Sequence, residues 1–316
     1  MTLRAKASSA YHRLGKTMKR LSYANIRLNR QQQARYHEIQ SEIMARSGHE
    51  QTKVAVVIHL YYPEAWEKIV SRLNKITEFS FDVFVSLPRS EAGFRNRIIK
   101  DFPDAYVYEV PNRGRDVLPF LGIASSLEEK GYKYVLKIHS KKSTHRTDGN
   151  DWFNELIDNL IPENKTLQHQ IVTTLSEQKT AIIGPASNYT SLNVNFDANG
   201  AHMTDVVKKL YSRRVAYEVL QRNRGNYGFF AGTMTWIKLE SIMPLFRYAN
   251  VWYFEKEVSQ IDATFAHAVE RLLSIVPEIS AQNIYEVDGR GIRKVGYDQG
   301  VVPDWSSVYI GPRSNG

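Results

Sequence analysis

The sequence predicts an α/β protein: a mostly parallel sheet flanked by helices, with a basic helical arm ahead of it. Three observations predict this. Residues 54–60 (VAVVIHL) form an unbroken apolar run, as expected of a central strand buried on both faces. From there to residue 184, strand-length apolar runs alternate with segments of helical periodicity, the pattern of parallel strands joined by crossover helices. The chain has 316 residues, 42% of them hydrophobic, which is enough for one large core.

The arm comes first. Tyr11, Leu14, Met18, Leu21 and Leu28 keep helical spacing, and Tyr36, Ile39 and Ile43 continue it. Residues 1–53 hold eleven Lys and Arg against three Glu, so +8 of the chain's formal +9 lies there and the rest is nearly neutral. Such a helix either docks on an anionic membrane surface or packs on its own domain or a second subunit. A mitochondrial-type transit peptide fits less well, because the apolar stripe outlasts a normal presequence. The charge sits outside the expected domain and no nucleic-acid-binding motif is present, so nucleic acid is not the expected partner.

The pattern breaks near Ser47 and Gly48. After the strand at 54–60, residues 63–73 read as a helix with Trp66, Ile69, Val70 and Leu73 on one side. Residues 81–87 (FDVFVSL) form the next strand, 94–102 a helix and 106–110 the third strand. A turn, Asn112-Arg113-Gly114-Arg115-Asp116, opens a helix that Gly131 ends, and residues 132–136 read as the fourth strand. Two helices follow at 152–161 and 165–177, then a strand at 180–184. Residues 188–199 are polar and aromatic and read as a loop, 205–221 as a helix, and 227–236 as one strand with close backbone approach at its glycines. Asp262 is expected to N-cap the helix that carries Phe265, Val269, Leu272 and Leu273. Residues 284–287 make a last strand, and from 289 glycines and prolines suggest an irregular tail. The expected organisation is an arm at 1–52, one domain at 53–288 and a tail at 289–316.

No apolar run is long enough to span a bilayer, and no secretory signal is visible. The absence of cysteine excludes disulfides and thiolate chemistry and suits a reducing compartment. There is no P-loop, nucleophile elbow or H-E-x-x-H spacing. The stretch of interest is 111–143. A turn at a helix start offers backbone N–H groups to an anion, and the neighbouring strand empties into Lys137, His139, Lys141, Lys142, His145 and Arg146. A diphosphate suits both features, and the lysines could neutralise it without a metal. Asp262 is a candidate general base as well as a cap. His267, Glu270 and Arg271 share its helix, where they also suit an ordinary ion pair and a structural histidine.

PNRGRDVLPFL, KIHSKKS, FFAGTMTW and IDATFAHAVERL, in that order, resemble the rhamnan synthesis protein F family of bacterial glycosyltransferases. The motifs span roughly residues 54–287, leaving the arm and tail uncovered. The resemblance implies a GT-A-like, Rossmann-type fold and transfer of a deoxyhexose, typically L-rhamnose from dTDP-L-rhamnose, to a growing cell-surface polysaccharide or lipid-linked glycan. Where a general GT-A enzyme carries a metal-binding D-x-D pair, this chain reads His139-Ser140-Lys141, which implies metal-independent diphosphate binding and no cofactor. Asp262 falls where inverting members place the catalytic aspartate. By the same resemblance His59, Tyr61 and Ser86 would lie near the base. Asn112, Arg115 and Asp116 would hold the nucleoside or sugar, and His139, Lys141 and Lys142 the diphosphate. Gly232 and Thr233 would let the backbone approach the donor sugar. Such an enzyme would be cytoplasmic, peripheral at the inner face of the cytoplasmic membrane through residues 1–50. The rival reading is a non-catalytic nucleotide-sugar or glycan-binding subunit of a polysaccharide assembly complex.

Overall fold

The structure, a computed structural model, describes residues 28–47, 52–140, 149–186, 188–193, 196–248, 253–258 and 262–295. In chain order its main elements are α1 (Arg30–Ala45), β1 (Val54–His59), α2 (Trp66–Leu73), β2 (Asp82–Pro88), α3 (Arg95–Asp101), β3 (Tyr106–Val110), α4 (Val117–Glu129), β4 (Tyr134–His139), α5 (Gly149–Leu160), α6 (Lys165–Ser176), β5 (Thr180–Pro185), β6 (Tyr189–Ser191), α7 (Phe196–Leu210), α8 (Arg213–Tyr217), β7 (Gly228–Phe230), β8 (Thr235–Lys238), α9 (Met243–Tyr248), α10 (Phe265–Ile279), β9 (Asn283–Asp288) and β10 (Gly291–Val295). Eight strands form one sheet in the order β10-β9-β5-β8-β4-β1-β2-β3. It is mostly parallel: β8 runs against β4 and β5, and β10 against β9. β6 and β7 form a separate antiparallel pair.

Period-two alternation explains the layers. In β1, Val54, Val56 and Ile58 point to the face covered by α2, α3, α5 and α6, while Ala55 and Val57 point to the face covered by α1, α4 and α10. Both faces are covered, which is why all six residues of β1 are buried and the strand reads as a continuous apolar run. The chain leaves β1 toward β2 and β3 on one side and returns to β4 on the other. That reversal opens a crevice beyond the carboxyl ends of β1 and β4, the usual ligand position in such sheets.

The helix within the arm, α1, packs on its own domain. Asn29 and Gln32 form a capping box at its start, and Tyr36, Ile39 and Ile43 are buried in the same core as α4. Tyr36 lies across Gly122, where an added Cβ would sit 2.5 Å from the ring. Residues 1–27 lie outside the described residues.

Four expectations need correction. Residues 227–236 are not one strand: the chain takes a left-handed turn at Gly232 (φ 90°) and Thr233 (φ 58°), so β7 and β8 belong to different sheets. The expected loop at 188–199 contains β6 and the first turn of α7. Asp262 is not the N-cap of α10; Thr264 is, with its hydroxyl accepting from the His267 N–H. The tail after residue 289 is not irregular throughout, because β10 pairs with β9 at the sheet's edge; residues 296–316 lie outside the described residues.

Candidate functional site

The carboxyl ends of β1 and β4 put His59 and His139 in register side by side. Beyond them a cleft of about 460 Å³, counting its open mouth, is lined by Arg115, Asp116, Val117, His139, Trp152, Gly232, Thr233, Ala266, His267 and Glu270. Four segments meet there: the turn into α4, the end of β4, the turn between β7 and β8, and the first turns of α10.

The floor is an ion pair. Lys137, 1% exposed, donates to Asp116 Oδ2 and, at 2.9 Å, to Thr233 Oγ1; the Thr233 hydroxyl in turn donates to Asp116. Burial works to raise the Asp116 carboxyl. It is outweighed by the charges of Lys137 and His139 and by the hydrogen bonds from Lys137 and Thr233, which hold it well below the usual carboxylate range. Lys137 is therefore a partner of Asp116 rather than part of an exposed cation cluster. Lys141 and Lys142, with His145 and Arg146, lie outside the described residues.

His139 donates from Nε2 to the Gly232 carbonyl, and the Gly232 N–H donates to Glu270 Oε1 at 2.7 Å. Trp152 faces the same glycine, where a Cβ would come within 3.0 Å of the indole, so only glycine fits the turn. His59 sits behind the wall. Its Nδ1 is 2.9 Å from Ser86 Oγ, and its pKa is lowered to about 4, by burial first and then by His139 and Lys137 against the opposing pull of Asp116. Ser140, which sequence reasoning did not single out, clamps the two strand ends: its Oγ accepts from the N–H of both Tyr61 and Tyr62 at 2.7 Å.

On the far wall, Arg115 Nη1 lies 2.9 Å from His267 Nε2. A guanidinium only donates, so Nε2 is the acceptor and the ring proton sits on Nδ1. Nδ1–H then donates to Thr264 Oγ1 at 2.8 Å. In that tautomer Nδ1 cannot also accept from the Thr264 N–H at 3.3 Å. Asp262 Oδ1 is 3.7 Å from His267 Nδ1 and accepts from Asn199 at 3.0 Å, while Oδ2 is 3.5 Å from Arg271. Burial works to raise the Asp262 carboxyl, but Asn199, the Ala263 N–H, Arg271 and His267 bring it below its ordinary value. Arg115, Thr233 and Ala263 all border the site with φ between 55° and 67°, conformations that cost a non-glycine residue about 1–3 kcal/mol and cluster at ligand sites.

The structure thus gathers Arg115, Asp116, His139, Gly232, Thr233, His267 and Glu270 into one cleft. Asp262 and Arg271 stand one contact behind His267, as His59 and Ser86 stand behind His139. Tyr61, 37% exposed, is 6.4 Å from His59 between ring centroids. Asn112 is exposed and does not line the cleft. Val117, Trp152 and Ala266 are lining residues that the sequence did not flag; the one available signal was an aromatic following a cationic loop. Among the described residues, the two carboxylates facing the cleft already have partners: Asp116 accepts from Lys137 and Thr233, and Glu270 Oε1 from the Gly232 N–H.

Fold and cleft define an α/β protein with a candidate ligand cleft at the switch point of its sheet, lined by one arginine, two histidines and two carboxylates among apolar neighbours. The chain belongs to the rhamnan synthesis protein F family, whose model matches residues 18–281, reaching back into the arm that the motifs left uncovered. It is 28% identical over 285 residues to the uncharacterized protein WxcX of Xanthomonas campestris pv. campestris strain B100, covering 85% of this chain and 37% of that one. The WxcX of a second strain of that pathovar gives 28% over 279 residues with the same coverages. The chain therefore spans little more than a third of the length of these relatives. Among solved structures, residues 1–349 of TarS from S. aureus align over 76% of this chain and 59% of that one, at 12% identity and a TM-score of 0.39, a likeness too loose to bear on function.

Proposed function

We propose that the protein is a glycosyltransferase of polysaccharide synthesis that moves L-rhamnose or a related deoxyhexose from a nucleotide-diphosphate sugar, such as dTDP-L-rhamnose, to a glycan or lipid-linked acceptor. Family membership supports the class of reaction. The observation that carries the mechanism is the meeting, at one cleft, of an anion-binding group with a basic one. Arg115 and the start of α4 form the first, with His139 beside them; Asp262 and His267 form the second. The diphosphate binds against Arg115 and His139, joined by Lys141 and Lys142, and the positive end of α4 adds to the field there. Tyr61 offers a partly exposed ring to the base. Thr233 and Gly232 bring backbone to the donor sugar. The Asp262–His267 pair deprotonates the acceptor hydroxyl, which displaces the diphosphate in one step with inversion. Arg115 meets the charge that develops on the leaving oxygen, and a fixed donor at such a position contributes about 3–4 kcal/mol to a transition state. No step needs a divalent metal, in keeping with His139-Ser140 at the end of β4 and with committed carboxylates in the cleft. The enzyme works in the cytoplasm against the inner face of the cytoplasmic membrane, held there through the basic residues of the arm.

The test is transfer from dTDP-L-rhamnose to a synthetic acceptor, with and without EDTA. Wild type is expected to be indifferent to the chelator. Asp262→Asn is expected to lose about 10²-fold or more in kcat while dTDP still raises its melting temperature. Full activity in Asp262→Asn, or activity that EDTA abolishes and Mg²⁺ restores, would overturn the base or the metal-free mechanism respectively.

A further inference from the structure

The contact between Arg115 and His267 is unusual for a base and an anion-binding cation that share a site. The structure has Arg115 donating to His267 Nε2, and both residues line the cleft, so the ring nitrogen that could receive a proton is covered by a cation. The other ring nitrogen is committed to Thr264 Oγ1. His267 cannot accept a proton at Nε2 without losing the Arg115 bond, and the resulting imidazolium would face a guanidinium at 2.9 Å.

We infer that Arg115 is a latch on His267: donor diphosphate draws the guanidinium off Nε2, and His267 is then the member of the Asp262–His267 pair that meets the acceptor hydroxyl. This rests on the glycosyltransferase reading above. Three observations place the latch. Arg115 stands in the left-handed region (φ 55°) in the turn at the start of α4, so it is held by its surroundings rather than by its own preference. Its Nε is 3.4 Å from Glu257 Oε2, an ion pair outside the His267 contact that is not closed into a hydrogen bond. His267 lines the cleft, whereas Asp262 does not, and Asp262 lies 3.7 Å away on the Nδ1 side, where a counter-charge would stabilise the imidazolium.

The chemistry balances without a further reactant. The acceptor oxygen uses a lone pair to bond the anomeric carbon, and its proton passes to His267 Nε2. The bond from the anomeric carbon to the diphosphate oxygen breaks with its electron pair on the diphosphate, where Arg115 now sits. Asp262 and Thr264 hold the Nδ1 side of the imidazolium until the proton leaves to solvent. The scheme makes acceptor activation depend on donor binding, so a donor-free enzyme presents no base to the acceptor or to water.

Charged and titratable groups from several elements surround His267 and shape its titration. Arg115 and Asp116 come from the turn into α4, His139 from β4, Glu255 and Glu257 from the 253–258 segment, Asp262 from the loop before α10, and Glu270 and Arg271 from α10 itself. The experiment is an NMR titration of histidine-labelled full chain, with the His267 signal assigned by its loss in His267→Gln, run with and without dTDP. In wild type, dTDP is expected to raise the apparent His267 pKa by at least one unit. In Arg115→Gln the raised value is expected without dTDP, and adding dTDP should move it little. Transfer assays complete the test: His267→Gln is expected to lose 10²-fold or more in kcat, with little change in donor KM, and to lose the acid limb of the kcat–pH profile. The latch is overturned if the His267 pKa is the same in wild type and Arg115→Gln, a comparison that leaves His267 intact and so survives a misfolded His267→Gln. The base assignment is overturned if folded His267→Gln keeps kcat within threefold. A wild-type chain that binds no nucleoside diphosphate would remove the glycosyltransferase reading itself, and the latch with it.

Discussion

Lys137 sits in the middle of a sheet at 1% exposure, and a charge in that position survives only if it is paired. Its partner, Asp116, lies in the turn that the sequence marked for anion binding, so the same turn both floors the cleft and closes a buried ion pair. Replacing Lys137 by Met would strand the Asp116 charge, at a cost of about 3–5 kcal/mol. Urea denaturation of Lys137→Met should show that loss, and a Lys137→Met/Asp116→Asn double variant should recover part of it; equal stabilities of wild type and Lys137→Met would refute the pairing. His59 acts on a different pH range. Its folded pKa of about 4 lies below the unfolded value near 6.5, so between those values the unfolded chain binds a proton that the folded chain does not. The contribution of His59 to stability therefore falls as the pH drops from 6.5 to 4, by up to roughly 3 kcal/mol, against the opposite trend of Glu278 described below. Asp116, with its depressed pKa, adds its own loss below pH ~4. The stability difference between wild type and His59→Asn should change across pH 6.5 to 4 by that amount and stay constant outside the window, as read from urea denaturation at a series of pH values; a pH-independent difference would refute a depressed His59 pKa. Most of the residues that line the cleft were legible because they cluster in a few short motifs. Their roles were less so. A lysine at a strand's end reads as exposed charge until the strand is known to be buried on both faces, and Asp262 and Thr264 are both good capping residues two positions apart, so composition cannot choose between them.

At the level of elements, what the sequence revealed depended on how much of each element's environment is local. The strands β1 to β5 and their crossover helices were readable because full burial writes itself as apolar runs. β10 was not, since an edge strand with exposed Arg293 and Lys294 has no apolar face to declare itself. The break between β7 and β8 was hidden because a threonine at φ 58° is imposed by its neighbours and not by its type. The β6–β7 pair also holds a carboxyl that sequence could not flag. Glu278 of α10 reaches this strand pair, accepting from the Tyr189 hydroxyl at 2.9 Å and lying 3.4 Å from the Gly228 N–H. Burial outweighs these bonds and raises its pKa to about 8. Between the ordinary value near 4.5 and 8 the folded chain holds a proton that the unfolded chain has lost, so this group makes the protein less stable as the pH rises through that window. Glu278→Gln keeps the shape and removes the titration. It should be more stable than wild type at pH 8 and no more stable at pH 5, as read from melting temperatures at the two values; a pH-independent difference would mean that the carboxyl is not protonated in the fold.

For the whole molecule, the direction of α1 matters more than its presence. Arg35, near its start, donates to the Glu109 carbonyl at the carboxyl end of β3, and Arg46, just past its end, donates to the Asp104 carbonyl ahead of that strand. The helix therefore runs antiparallel to β3, and its first residues lie at the same end of the sheet as the cleft. Gln32 accepts from Arg113, two residues from Arg115, which fixes that end against the anion-binding turn. The chain thus enters α1 at the cleft's end of the sheet. The preceding residues 1–27 carry seven Lys and Arg and no Asp or Glu. If they dock on anionic lipid, as proposed, the cleft is brought toward the bilayer, where a lipid-linked acceptor presents its reactive sugar. Each basic residue near such a surface contributes about 1 kcal/mol, so exchanging Lys16, Lys19 and Arg20 for Gln should weaken binding by about 3 kcal/mol, roughly a hundredfold. Sedimentation with vesicles of phosphatidylglycerol and phosphatidylcholine measures this directly. Binding should disappear on pure phosphatidylcholine and fall steeply with added salt, since screening shortens the reach of surface charge to about 8 Å at physiological ionic strength. An arm that acts only through the membrane leaves transfer to a water-soluble acceptor unchanged in the triple variant, while transfer to a vesicle-borne acceptor drops with binding. Equal retention of wild type and variant on anionic vesicles would show that the arm's charge serves some contact other than the membrane.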